Sequence, residues 1–144
     1  RELLHVIARG YSLDGQGGIR NPVGMCGTRL EVETHVVTGA GALIRNLHRA
    51  IEGAGVEVEE FVLQPVAAGE AVLLPAERDL GVALVDIGGG TSDIAVYRGG
   101  SVGFTAVVPV GGDMVTRDIA AGLRCEASEA ERLKREFAAA RESA

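Results

Sequence analysis

The sequence predicts an α/β (α+β) fold built in two parts, and three observations carry that prediction. Leu30, Val32, Thr34 and Val36 alternate with Glu31, Glu33, His35 and Val37, the period of two that marks a half-buried strand with one wet face. From Ala42 the period becomes helical, with Leu43, Ile44, Leu47, Ala50, Ile51 and Ala54 on one stripe,. Val82-Ala83-Leu84-Val85-Asp86-Ile87 is an unbroken apolar run of strand length, suited to the buried centre of a sheet.

Composition narrows the class. The 144 residues carry 14 basic and 20 acidic side chains, a formal net charge of −6, and are 47% hydrophobic but 3% aromatic. That apolar content excludes a disordered chain. The acidic balance argues against a nucleic-acid partner, which needs clustered Lys and Arg to displace phosphate counterions. Glycine occurs 21 times, about twice what average usage near 7% gives, and without the spacing of collagen. Five glycines lie between Gly15 and Gly27 and nine between Gly81 and Gly112.

Taken in order, Leu3 to Ala8 reads as a strand continuing toward Leu13, and Asp14-Gly15 as a turn,. Gly15 to Gly27 holds too many glycines for a helix and too few apolar residues for a strand core, so it reads as a long loop. The alternating strand follows, then the helix from Ala42, for which Gly53 or Gly55 supplies a left-handed cap. Phe61-Val62-Leu63-Gln64 reads as a short strand stopped by Pro65, and Val66 to Leu74 as a small-residue helix ended by Pro75. The apolar strand at 82–87 breaks at Gly88-Gly89-Gly90 and resumes over Ile94 to Tyr97. Arg98-Gly99-Gly100-Ser101 is a hairpin turn before a third strand, Val102 to Val108. Asp113 is placed to cap a helix running to about Leu123. Ser128 to Glu131 spells a capping box, opening a helix with Ala130, Leu133, Phe137 and Ala140 on one face.

Arg1 runs straight into an apolar stretch, so no signal peptide is expected, and no apolar run approaches the roughly 18 residues of a membrane-spanning helix. Phe137 to Ala144 carries a helical pattern without a Gly or Pro stop,. Both ends therefore read as internal to a longer protein. Cys26 and Cys125 lack a CxxC partner, which fits reduced cytosolic thiols. His5, His35 and His48 show no metal-ligand spacing and read as half-buried or surface groups,.

Chemistry concentrates in Val85-Asp86-Ile87-Gly88-Gly89-Gly90-Thr91-Ser92-Asp93-Ile94. Three glycines between two strands let the backbone approach a ligand closely, and consecutive N–H groups in such a turn form an anion nest. Thr91 adds a hydroxyl donor. Asp86, at the end of an apolar strand, is an acceptor suited to a hydrated Mg²⁺, and an unpaired buried carboxylate would otherwise be costly. A second turn, Gly111-Gly112-Asp113, follows in the same order. The combination suits a terminal phosphate and its metal.

DIGGGTSDIAVY resembles the second phosphate motif of the actin, heat-shock-70 and sugar-kinase superfamily, and PVGGDMVTRDIA the Gly-Gly turn and helix that follow it in bacterial members. Within that superfamily, YSLDGQGGIRNPVGMCGTRLE, QPVAAGEAVL and VPVGGDMVTRDIAAGLRCEASEAERLK resemble the bacterial cell-division family FtsA, almost from end to end. The DGQGGIRNPVGM loop is the specific part. The resemblance implies a small FtsA-type inserted α+β subdomain over 1–62 and a return helix and linker of a first actin-like lobe over 63–81. Residues 82–144 would begin a second actin-like (ribonuclease H-like) ATPase lobe with a mixed sheet.

The same resemblance implies ATP and Mg²⁺ as cofactors, with Asp86 facing the metal, Gly88, Gly89, Gly90 and Thr91 the β/γ-phosphates, and Gly112 and Asp113 near the nucleotide. Gln64, before Pro65, stands where members place the group that orients an attacking water, and Glu70 is the weaker candidate for that role. The implied function is a scaffold that polymerises and tethers the tubulin-like division protein FtsZ to the inner face of the cytoplasmic membrane, through a C-terminal amphipathic helix outside these residues. Other division proteins would meet the inserted subdomain around Glu31, Glu33, Arg45 and Arg49. A sugar kinase, an Hsp70-like chaperone or a pilus-assembly protein of the superfamily explains DIGGGT equally well but gives no account of the loop. The first phosphate hairpin, the adenosine motif and the second connecting motif fall outside the 144 residues, so the chain holds one wall of a cleft. Alone it is expected neither to bind ATP tightly nor to hydrolyse it, because phosphoryl orientation needs donors from both lobes; the full-length protein is at most a weak ATPase.

Overall fold

The computed structural model describes residues 1–139, in the order β1 (Glu2–Leu13), β2 (Gln16–Ile19), β3 (Leu30–Gly39), α1 (Gly41–Gly53), α2 (Gln64–Val72), α3 (Pro75–Leu80), β4 (Val82–Ile87), β5 (Ser92–Arg98), β6 (Ser101–Val108), α4 (Gly112–Leu123) and α5 (Ala127–Phe137). Ala140, expected on the last helix, lies outside the described residues. Two three-stranded antiparallel sheets form, in the orders β2-β1-β3 and β4-β5-β6. The chain divides into two compact units: Arg1–Leu84 with Ile94–Thr105, and Val85–Asp93 with the described residues from Ala106 on.

In the first unit, Asp14 (φ 50) and Gly15 (φ 84) are both left-handed and join Leu13 to its partner Gln16. This is the two-residue hairpin turn that Asp-Gly favours. Its register turns Gln16–Ile19 into strand β2, where a loop was expected. Ladder bonds use backbone groups, so the scarcity of apolar side chains does not forbid a strand here. The remaining loop is tied down by the Asp14 carboxylate, which accepts from the Thr28 hydroxyl (2.7 Å) and from the N–H groups of Thr28 (3.0 Å) and Arg29 (2.8 Å). Those bonds, the Thr28 hydroxyl first, hold its carboxyl below the ordinary 3.8,.

β3 forms as expected but half-buries His35, Val37 and Gly39 while leaving Leu30, Val32 and Val36 exposed. The expected inner face is the outer one within this unit. A Cβ on Gly39 would lie 2.7 Å from Ile44 Cδ1 and 3.1 Å from Leu4 Cδ1, so Ile44 of α1 packs on this face at its Gly39 end. His35 Nε2 lies 3.1 Å from Thr105 Oγ1. The helix ends with Gly55 at φ 83, its N–H bonded to Glu52 O while Val56 N–H reaches Ile51 O. That pair of bonds is the Schellman cap.

No strand forms over Phe61–Gln64. Leu63 instead caps α2, its N–H donating to His5 Nε2 at 2.9 Å, and Gln64 opens the helix. Pro65 sits in the first turn, where a missing N–H costs nothing, so the expected strand stop is a helix start. Pro75 likewise opens α3, in the stretch expected to be a linker. The core gathers Leu84, Ala95, Tyr97 and Val102, with Ile7, Val66, Ala68, Leu73 and Val82 packed on it. Tyr97 donates its hydroxyl to Pro65 O at 3.3 Å. A Cβ on Gly69 would fall 2.0 Å from Tyr97 Oη, so only glycine leaves room for the ring. Burial pushes the Tyr97 phenol up, against the opposing pull of the Arg78 guanidinium 5.7 Å from the ring centre.

β4 corrects a further expectation. It is the edge of its sheet, with Leu84 buried but Val85 and Ile87 exposed, and β5 takes the centre. In the second unit Gly111, not Asp113, is the N-cap of α4, and no side-chain cap forms. The expected capping box of α5 is also unmade; Glu126 is its N-cap. Glu131 is committed elsewhere, accepting from Thr116 Oγ1 (2.6 Å) and Arg135 Nε (2.7 Å) and pairing with Lys134 Nζ (2.6 Å).

Candidate functional site

β4 delivers Asp86 half-buried near its end, and the backbone then turns through exposed Gly88, Gly89 and Gly90. Gly88 N–H donates to Thr91 O at 2.8 Å, closing the turn before β5 begins. Thr91 Oγ1 lies 3.3 Å from Asp93 Oδ2, and Asp93 is only 9% exposed. Ser92 Oγ donates to Val110 O at 2.7 Å, which draws the segment before α4 alongside the turn.

There the two glycine segments interlock. Gly112 N–H donates to Gly88 O at 2.9 Å and Asp113 N–H to Gly89 O at 2.8 Å. A Cβ on Gly111 would meet Gly89 O at 2.4 Å and Gly88 O at 2.6 Å, an approach that only glycine permits. The first N–H groups of α4, orphans in an isolated helix, are thus spent on the glycine turn. Among the described residues the N–H groups of Gly89 and Gly90 meet no acceptor, and a Cβ on Gly90 would meet nothing within 4 Å. Asp113 turns its carboxylate toward Gly89, 3.3 Å from where a Cβ would stand.

The donor set is therefore open backbone N–H groups beside the Thr91 hydroxyl, with a carboxylate before the turn (Asp86) and another packed on it (Asp113). Negative carboxylates next to an anion repel it. Mg²⁺, which keeps several waters and takes one or two carboxylates, reconciles the two, and the residues fit a metal-bound phosphate. Among the described residues no group of three or more His, Cys, Asp or Glu is placed to hold a metal by itself.

Of the residues expected from sequence, Gly88, Gly89, Gly112 and Asp113 are brought together by direct bonds, Thr91 closes their turn, Gly90 lies open beside them, and Asp86 precedes them. Gln64 and Glu70 belong to the first unit. Both are exposed on α2, and Glu70 accepts from Arg78 Nη1 at 2.6 Å. From sequence, Glu131 has only a capping role in its own helix, and Thr116 and Lys134 are not singled out. Lys134 Nζ donates to Gly112 O (3.0 Å) and to Thr116 Oγ1 (2.8 Å). Hydrogen bonds from Lys134, Thr116 and Arg135, in that order, pull the Glu131 carboxyl down to about 2,. The spacing of Glu131, Lys134 and Arg135 advertises ion pairs within α5, but nothing local announces the link to α4.

Two family models match the chain: "Cell division protein FtsA" over residues 83–144 and "SHS2 domain inserted in FTSA" over residues 1–38. The cell division protein FtsA of Neisseria meningitidis serogroup B is 42% identical over 134 residues, covering 93% of this chain and 32% of that protein. The Bacillus subtilis FtsA is 45% identical over 135 residues, 94% of this chain and 31% of that protein. The chain spans about a third of the length of the curated relatives it matches. A chain from the solved PilM-PilN type IV pilus biogenesis complex superposes with a TM-score of 0.69 over 92% of this chain and 38% of that one, at 20% identity, a likeness of fold alone.

Proposed function

The chain belongs to the FtsA family of cell-division proteins, and from that premise we propose that the full-length protein is an ATP-binding, actin-like scaffold that polymerises and tethers FtsZ to the inner face of the cytoplasmic membrane during septum formation. The observation that carries the nucleotide part of this reading is the interlock of the Gly88–Thr91 turn with Gly111–Asp113, which leaves the N–H groups of Gly89 and Gly90 open. In this reading those N–H groups and the Thr91 hydroxyl receive the β/γ-phosphates, while Asp86 and Asp113 hold the waters of a Mg²⁺. The metal, when bound, supplies positive charge that offsets the phosphates against the two carboxylates. Gln64 is the polar group offered to orient an attacking water, and Glu70, held by Arg78, is the poorer candidate for it. Residues 1–62 would form the inserted subdomain that meets other division proteins. ATP acts chiefly by shifting the population between assembly states.

The test is co-sedimentation of the full-length protein with FtsZ filaments and with anionic liposomes, with and without Mg·ATP. The reading expects both to carry the protein into the pellet. Saturable phosphorylation of a sugar without recruitment to FtsZ would overturn it in favour of a kinase of the same superfamily.

A further inference from the structure

A lysine ammonium at a helix N-terminus opposes the helix dipole, and fixing its long side chain costs rotamer entropy. Lys134 accepts both costs at the first turn of α4, where its Nζ holds Gly112 O and Thr116 Oγ1. Thr116 is 8% exposed and donates to Glu131 Oε2, which also pairs with Lys134. The same Gly112 that offers its carbonyl to Lys134 donates its N–H to Gly88 O. One residue thus links α5 on one side to the glycine turn on the other. The link is two bonds long.

We infer that Thr116, Glu131 and Lys134 form a latch that fixes the first turn of α4 against Gly88 and Gly89, making Glu131 and Lys134 positioning residues for the phosphate site. The inference rests on the phosphate reading of Gly88–Thr91. The latch sets where the N–H groups of Gly89 and Gly90 point. Gly112, held at both its N–H and its C=O, cannot shift without breaking a bond on one side or the other.

The test uses full-length protein with Lys134→Met, Glu131→Gln, Thr116→Val and the conservative Thr116→Ser. Two quantities are measured: amide exchange at Gly112 and Asp113 without nucleotide, and the affinity for Mg·ATP. The latch predicts exchange about tenfold faster at those two amides and Mg·ATP affinity about tenfold weaker in the first three variants. The Lys134→Met/Thr116→Val double variant should be no worse than either single one, and Thr116→Ser should retain the wild-type values. Affinity lost with exchange unchanged would overturn the inference in favour of direct ligand contact by α5. Exchange raised with affinity unchanged would reduce the cluster to helix packing. Asp86→Asn separates the two levels. If it weakens Mg·ATP binding while the latch variants do not, the latch alone fails; if it changes nothing, the phosphate reading fails and the latch with it.

Discussion

Gly111→Ala tests the interlock on which the candidate site depends. At φ −159 the backbone of Gly111 is extended and accepts any residue, so the whole effect comes from the added methyl group. It would stand 2.4 Å from Gly89 O, 2.6 Å from Gly88 O and 2.7 Å from Gly89 C. All three are backbone atoms and cannot rotate away. Reaching ordinary contact parts the two segments enough to carry the Gly112–Gly88 and Asp113–Gly89 bonds, now 2.9 and 2.8 Å, out of hydrogen-bonding range. Two neutral bonds at about 0.5–1.5 kcal/mol each give a loss of about 1–3 kcal/mol. The assay is chemical denaturation of the full-length protein, with amide exchange read at residues 112 and 113. Gly90→Ala, whose methyl would meet nothing within 4 Å, is the control, with an expected change under about 0.5 kcal/mol. Wild-type stability and unchanged exchange in Gly111→Ala would refute the interlock.

Three further outcomes follow from the same structure. Gly69→Ala drives a Cβ to within 2.0 Å of Tyr97 Oη and should cost about 1–3 kcal/mol in thermal unfolding, part of it recovered in a Gly69→Ala/Tyr97→Phe double variant. His5→Phe leaves the Leu63 N–H without its acceptor and should cost about 1–3 kcal/mol, with faster exchange in the first turn of α2. The Glu131 carboxyl is held at about 2 against an ordinary 4.5, so its stabilisation is complete above about pH 4.5 and is lost as pH falls through the folded value; a stability difference between wild type and Glu131→Gln should be present at pH 6 and shrink below pH 4.5 toward pH 2.

The legible part of this molecule was local. Strands β1, β3, β5 and β6 and helices α1, α4 and α5 follow from periodicity and from Asp14-Gly15 and Gly99-Gly100 in their turns, where both residues of each pair have positive φ. What sequence misassigned depended on partners remote in the chain. Strand β2 exists because β1 offers its edge, and the inner face of β3 is the one that meets Thr105 at His35 and Ile44 at Gly39. Leu63–Pro65 becomes a helix start where His5 supplies the acceptor. The glycine turns drew attention as motifs, since φ freedom and phosphate chemistry are written in residue type. Their interlock was hidden, because it consists of the backbone carbonyls of Gly88 and Gly89 meeting the N–H groups of Gly112 and Asp113, remote in the chain. Glu131 was read as a capping residue for its own helix and instead serves α4.

The most direct test of the central claim is hydrogen–deuterium exchange of the 86–93 segment in full-length protein, titrated with Mg·ATP to calorimetric saturation. Gly89, Gly90 and Thr91 should gain protection as the nucleotide binds, and removing Mg²⁺ with a chelator should reverse the gain. Saturating Mg·ATP with no added protection at these three amides would contradict that claim.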